Sequence, residues 1–189
     1  MFTGIVKAIA EVEKAEKRRG SLFLYIKKPR AWRFGLGESV LVNGVCLTAK
    51  KIGKASFVTE FMSETLSRTT FGREIPRRVN LEKPLTLKDP LGGHIVLGHV
   101  DAVGKIIKIK SEFSEKKYFF SFPKKYSRLV VEKGSIAVDG VSLTVAGRSK
   151  VNFSCSLLDY TLKLTILGQK RVGDIVNIEF DILAKYLLG

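Results

Sequence analysis

The sequence predicts an all-β protein, with two tandem homologous six-stranded antiparallel β-barrels of Greek-key type followed by a short C-terminal helix. Two observations carry this expectation. An internal repeat spans the chain, and short apolar-rich runs are broken throughout by turn dipeptides.

The repeat decides the architecture. At an offset of 96, Ser39–Thr48 (SVLVNGVCLT) aligns with Ser135–Thr144 (SIAVDGVSLT), and six of these ten positions are identical. The same offset carries Phe57 onto Phe153, Thr65-Leu66 onto Thr161-Leu162 and Gly72 onto Gly168. An offset of 97 carries Val79–Glu82 onto Val176–Glu179, and an offset of 94 carries Gly4, Val6 and Ala8 onto Gly98, Val100 and Ala102. The drifts are changes in loop length. The expected modules are 1–90 and 91–181, with Pro84–Pro90 as the linker and 182–189 as the helix.

Within each copy, runs rich in Val, Ile, Leu, Phe and Thr read as strands: Ser21–Lys27, Ser39–Val42, Val45–Ile52, Tyr118–Phe122 and Val151–Leu157. Asn43-Gly44 and Asp139-Gly140 suit tight turns that need positive φ. Pro29–Arg33 and Pro123–Val130 each precede a glycine and are expected to form a short helix in each copy. Ile182, Leu183, Tyr186 and Leu187 recur at helical spacing. A helix this short needs a packing partner, and a second subunit is a plausible one.

Composition narrows the function. The 189 residues are 45% hydrophobic, enough for two small cores. No stretch approaches the roughly 18 apolar residues of a membrane span, and Met1–Val6 lacks a signal-peptide layout, so a cytoplasmic protein without a membrane partner is expected. Two cysteines, Cys46 and Cys155, are too few for a disulfide framework. The net charge of +15 comes from doublets and triplets scattered along the whole chain, with no nucleic-acid-binding motif, and reads as a solvated basic surface. His94 and His99, without clustered cysteines or carboxylates, make no metal site.

Departures from the repeat nominate the chemistry. Cys46 stands where the second copy has Ser142; both types can act as nucleophile or hydrogen-bond donor. His99 stands opposite Ile5 and is able to exchange protons near neutral pH. Phe2 stands opposite Val96, either closing a barrel or touching a ligand. Asp181 stands opposite Pro84, as a helix N-cap or as a functional carboxylate.

Met1–Val6 (MFTGIV), Val42–Thr48 (VNGVCLT), Gly93-His94 with Gly98-His99-Val100, and Val138–Thr144 (VDGVSLT) together resemble the riboflavin synthase family, with its repeated lumazine-binding module. The resemblance covers essentially the whole chain. It implies a homotrimer with active sites between the first barrel of one subunit and the second barrel of the next, no cofactor, and a possible association with lumazine synthase. It implies that two 6,7-dimethyl-8-ribityllumazine molecules, bound together at each site, exchange a four-carbon unit to give riboflavin and 5-amino-6-ribitylamino-uracil. The implied reacting shell is His99, Cys46, Ser142, Phe2, Ser39 and Asp181. The implied ring contacts are Gly4, Ile5, Val6, Cys46, Leu47, Thr48, Glu60, Phe61, Met62, Ser63, Glu64 and Thr65 in the first barrel. In the second they are Gly98, His99, Val100, Lys133, Ser142, Leu143, Thr144, Ser156, Leu157, Leu158, Asp159, Tyr160 and Thr161. Two rival readings are a non-catalytic lumazine- or flavin-binding relative and, more distantly, a basic double barrel for single-stranded nucleic acid.

Overall fold

Leu22, Leu24 and Ile26 are buried and alternate with Phe23, Tyr25 and Lys27 along β2 (Ser21–Lys27), which is the period-two pattern of a strand with one face on a core. The same logic builds the first barrel from β1 (Ala8–Arg18), β2, β3 (Ser39–Val42), β4 (Val45–Ile52), β5 (Ser56–Phe61) and β6 (Arg78–Glu82). These close antiparallel in the order β1-β2-β5-β4-β3-β6. The structure is a computed structural model that describes residues 1–33, 35–112 and 115–188. Gly189, the last residue of the expected helix, lies outside the described residues.

The second copy contains β7 (Ala102–Glu112), β8 (Glu115–Ser121), β9 (Ser135–Val138), β10 (Val141–Thr144), β11 (Gly147–Arg148), β12 (Asn152–Leu158) and β13 (Ile175–Phe180). Its order, β10-β9-β13-β7-β8-β12-β11, follows that of the first barrel, as a seven-stranded sheet with β10 and β11 at its two ends. It has seven strands where six were expected, because the counterpart of β4 is split into β10 and β11. β4 itself carries a bulge between Ala49 and Lys51. At the matching place the chain leaves the ladder at Val145-Ala146, where the Val145 N–H donates to the Gly134 carbonyl at 2.9 Å and the Ala146 N–H to the Ser154 carbonyl at 2.7 Å.

Helical structure departs from expectation in two places. Pro29–Arg33 is a turn closed by the Trp32 N–H on the Pro29 carbonyl (2.9 Å), whereas Lys124–Leu129 forms a 3-10 helix. So short a segment gains too few backbone bonds to nucleate a helix. Two unexpected helices, α1 (Ser63–Arg68) and α2 (Asp159–Leu164), follow β5 and β12 at equivalent positions. Each ends on a threonine whose hydroxyl donates back four residues, Thr69 to the Thr65 carbonyl and Thr165 to the Thr161 carbonyl, both at 2.8 Å. The terminal helix α3 (Ile182–Leu188) forms as expected. It is tied to its own barrel by the Lys185–Asp101 ion pair at 2.6 Å, while Leu183, Tyr186 and Leu187 stay exposed.

Each barrel has its own core, centred on Phe57, Phe61 and Phe71 in the first and on Phe120, Phe153 and Phe180 in the second. A third core, Phe2, Leu41, Val96 and Ala137, lies between them. Beside it runs a buried polar network with local two-fold symmetry. Asn80 on β6 donates to the Asp139 carbonyl (2.9 Å) and accepts the Ile166 N–H (2.8 Å). Asn177 on β13 donates to the Asn43 carbonyl (2.8 Å) and accepts the Thr70 N–H (2.8 Å). Each asparagine thus satisfies a turn and a 3-10 segment of the opposite barrel. Removing either strands two buried backbone groups, each costing about 1–3 kcal/mol. Asn80→Ala is therefore expected to destabilise the fold by roughly 2–6 kcal/mol, read as a lower urea midpoint, with both barrels still unfolding in one transition.

Candidate active site

The segment that enters each barrel is bound to the other barrel. The Ser142 N–H donates to the Gly4 carbonyl (2.8 Å), and the Cys46 N–H donates to the Gly98 carbonyl (2.9 Å). Phe2 and Val96 pair with each other across the junction, at 2.7 and 3.0 Å. Val6 packs on the second barrel's core and Val100 on the first. The expected grouping is therefore corrected. Gly4, Ile5 and Val6 belong with Ser142, and Gly98, His99 and Val100 belong with Cys46.

The approach is close enough to require glycine. A Cβ on Gly4 would lie 2.6 Å from the Ser142 Cβ, and one on Gly98 would lie 2.5 Å from the Cys46 Cβ; both residues have φ near +80° (+74° and +81°). Two buried carboxylates hold the segments. Glu82 accepts the Thr3 and Gly4 N–H groups at 2.7 and 3.0 Å and the Thr3 hydroxyl at 2.7 Å. Glu179 accepts from Leu97, Gly98 and His99 at 2.7, 2.8 and 3.1 Å. Burial pushes both carboxyls above the usual range, and the hydrogen bonds oppose that rise.

Around Cys46 the junction opens into a cavity of about 410 Å³. Cys46 from β4, Glu64, Thr65 and Arg68 from α1, and His99 from the crossing segment share it. A thiol, an imidazole and a short helix offering a hydroxyl and an ion pair (Arg68–Glu64, 3.3 Å) suit a polar, flat heterocycle with a hydroxylated tail. At the matching place on the second barrel, Ser142, Ile5, Thr161 and Tyr160 replace Cys46, His99, Thr65 and Glu64, so that rim is more apolar.

The motifs pointed to His94 without assigning it a role. Its Nδ1 lies 2.7 Å from the Ser142 Oγ. Burial lowers the imidazole pKa, and the nearby Asp181 carboxylate partly offsets this. The ring is thus held largely neutral and able to share the hydroxyl proton. A histidine with no counterpart in the repeat was the available signal. Asp181 also accepts the Leu183 N–H at 3.0 Å, the N-cap of α3.

Other expected residues fall elsewhere. Phe2 is fully buried between the barrels, in the third core with Leu41, Val96 and Ala137. Leu47, Phe61, Leu143 and Leu157 point into the barrel cores, so only their backbone faces outward. Ser39 begins β3 opposite Thr48. Glu60 is paired with Lys50 at 3.2 Å. Ser156 donates to Glu115 at 2.9 Å. Met62, Leu158 and Tyr160 are exposed. Lys133 sits at φ +67° in the turn before β9, with its N–H on the Val145 carbonyl.

A histidine whose folded pKa is depressed binds fewer protons than the unfolded chain, so its contribution to stability is present above pH 6.5 and lost as pH falls through the folded value. His94→Gln is expected to lose less stability than the parent between about pH 7 and pH 5. Thermal melts at the two pH values check this; equal losses would show that His94 is not held neutral.

Comparison with known proteins agrees with this geometry. The lumazine binding domain family matches twice, at residues 3–84 and 97–181. A riboflavin synthase of Mycobacterium tuberculosis (strain ATCC 25618 / H37Rv) is 44% identical, covering 99% of this chain and 96% of the relative. One of Actinobacillus pleuropneumoniae is 38% identical over 99% of this chain and 88% of its own. Among solved structures, LumP complexed with riboflavin superposes with a TM-score of 0.87 at 26% identity, covering 95% of this chain and 99% of LumP. A chain whose two barrels both carry the lumazine-binding module, and which aligns over nearly its full length with these enzymes, belongs to the riboflavin synthase family.

Proposed function

We propose that this chain catalyses the dismutation of two 6,7-dimethyl-8-ribityllumazine molecules into riboflavin and 5-amino-6-ribitylamino-uracil. The observation that carries this reading is the pair of matching places, each built from both barrels, with Cys46 in one and Ser142 in the other. Two copies of one substrate need two related seats. Holding them in near-attack geometry can supply roughly 7–11 kcal/mol toward the barrier.

The chemistry requires a methyl proton to leave one ring and the resulting carbanion to attack the other. His99, on the rim of the first-barrel cavity, is the proton carrier. Cys46 and Ser142 add to or hydrogen-bond the ring at equivalent places, and His94 orients the Ser142 hydroxyl. Thr65 and Thr161 meet the ribityl hydroxyls. Asp181 supports His94 by its charge.

The active unit in this proposal is a cytoplasmic homotrimer. The exposed Leu183, Tyr186 and Leu187 of α3 supply an apolar face for subunit contact. The first-barrel cavity of one subunit then faces the second barrel of its neighbour, completing a site for two rings. Among the described residues no helix is long and apolar enough to cross a membrane.

Incubating the purified protein with 6,7-dimethyl-8-ribityllumazine and following riboflavin absorbance tests the reading. Turnover is the expected result. Lumazine bound without turnover would replace the enzyme by a carrier like LumP. His99→Gln is expected to lower kcat by about a hundredfold or more, the usual weight of a general acid–base group. An unchanged rate would remove that role.

A further inference from the structure

The two barrels differ at one corner. In the second, the β7–β8 ladder continues past Ile106↔Phe120 to Lys105↔Ser121. In the first, the β1–β2 ladder stops at the matching pair, Val12↔Ile26. The residue at this corner also differs between the barrels. Gly104 allows the tight closure, because a Cβ there would lie 2.6 Å from the Ser121 carbonyl oxygen and 2.4 Å from the Ile178 Cδ1. The first barrel has Ala10 at that place, and its β1–β2 pairing ends one pair earlier.

A cleft of about 420 Å³ lies at this corner of the first barrel. Lys27, Lys28, Arg30 and Arg78 line it together with a single carboxylate, Glu11. Glu11 reaches Lys27 at 3.2 Å and Arg78 at 3.8 Å. Three positive charges remain in excess. The second barrel has Lys105, Ser121, Phe122, Lys124 and Ile175 in place of Glu11, Lys27, Lys28, Arg30 and Arg78, so it keeps two basic residues where the first barrel has four. None of these residues lines the cavity around Cys46 and His99.

Four cations converging on one concavity repel one another and are relieved by an anion that spans them. Two of the four are arginines, whose planar forks bind phosphate oxygens in pairs. A single small anion meets only part of the cluster, whereas two adjacent phosphates reach both sides of the cleft. We propose that this cleft binds a small molecule carrying two or more linked phosphates, such as pyrophosphate or a nucleoside polyphosphate, separately from the lumazine sites.

Isothermal titration calorimetry of the full-length protein with pyrophosphate, in phosphate-free buffer at constant ionic strength, is expected to show binding that saturates with a Kd below about 1 mM. The double variant Arg30→Gln/Arg78→Gln is expected to bind at least about tenfold more weakly. Lys108→Gln/Lys110→Gln, with the same loss of charge on the exposed face of β7, is expected to bind as the parent does. A nucleoside triphosphate arm tells whether the base adds affinity. The proposal is overturned by the absence of saturation up to about 10 mM, or by equal weakening in both variants. Tighter binding of a single-stranded oligonucleotide through Arg30 and Arg78 also overturns it. Circular dichroism melts of each variant separate lost binding from lost folding.

Discussion

The structure depends on two buried carboxylates. Glu82 and Glu179 lie at the end of each barrel's last strand, as its final and its penultimate residue, and each collects the N–H groups of the segment that enters its own barrel. That grip holds the segment across the junction, where its glycine carbonyl accepts from Cys46 or Ser142 of the opposite barrel. Without it, Gly4 and Gly98 would lose their seats and the cavity around Cys46 its histidine. Three donors per carboxylate offset a burial that would otherwise disfavour the charge.

Because the crossing is made by backbone atoms, side chains around it are free to differ. The frame repeats: Gly4 with Gly98, Glu82 with Glu179, Asn80 with Asn177. The chemistry does not. Cys46 faces His99, whereas Ser142 faces Ile5 and binds His94. Asp139 replaces Asn43 in the interbarrel turn and takes Lys170 as its partner at 3.4 Å, where the first barrel has Glu74. Ala10 stands where the second barrel has Gly104 and lines a cleft. Duplication supplied two equivalent seats, and substitution at constant backbone made them unequal.

Much of this was legible before any coordinate. Strands such as Ser21–Lys27 and Ser39–Val42 announce themselves by alternation and by Asn-Gly or Asp-Gly turns, which are local signals. The six-residue helices α1 and α2 were not legible, since a turn and a half is too short for helical periodicity to stand out from neighbouring strands. Phe2 kept two readings open for a related reason. An aromatic residue at a chain end signals a contact, and its sequence does not say whether the contact is a ligand or another barrel.

By itself, the sequence determined that one module is used twice, where its turns fall, and which positions break the repeat; these are properties of spacing and composition. Only the tertiary structure decided which barrel each entering segment serves. It placed His99 beside Cys46 rather than Ser142, paired His94 with Ser142, and buried Phe2. The physical reason is that the exchange is made by long-range backbone bonds and by carboxylates some 80 residues away from their donors. Nothing in the local pattern of Gly4-Ile5-Val6 distinguishes a strand that stays with its own barrel from one that crosses to the next.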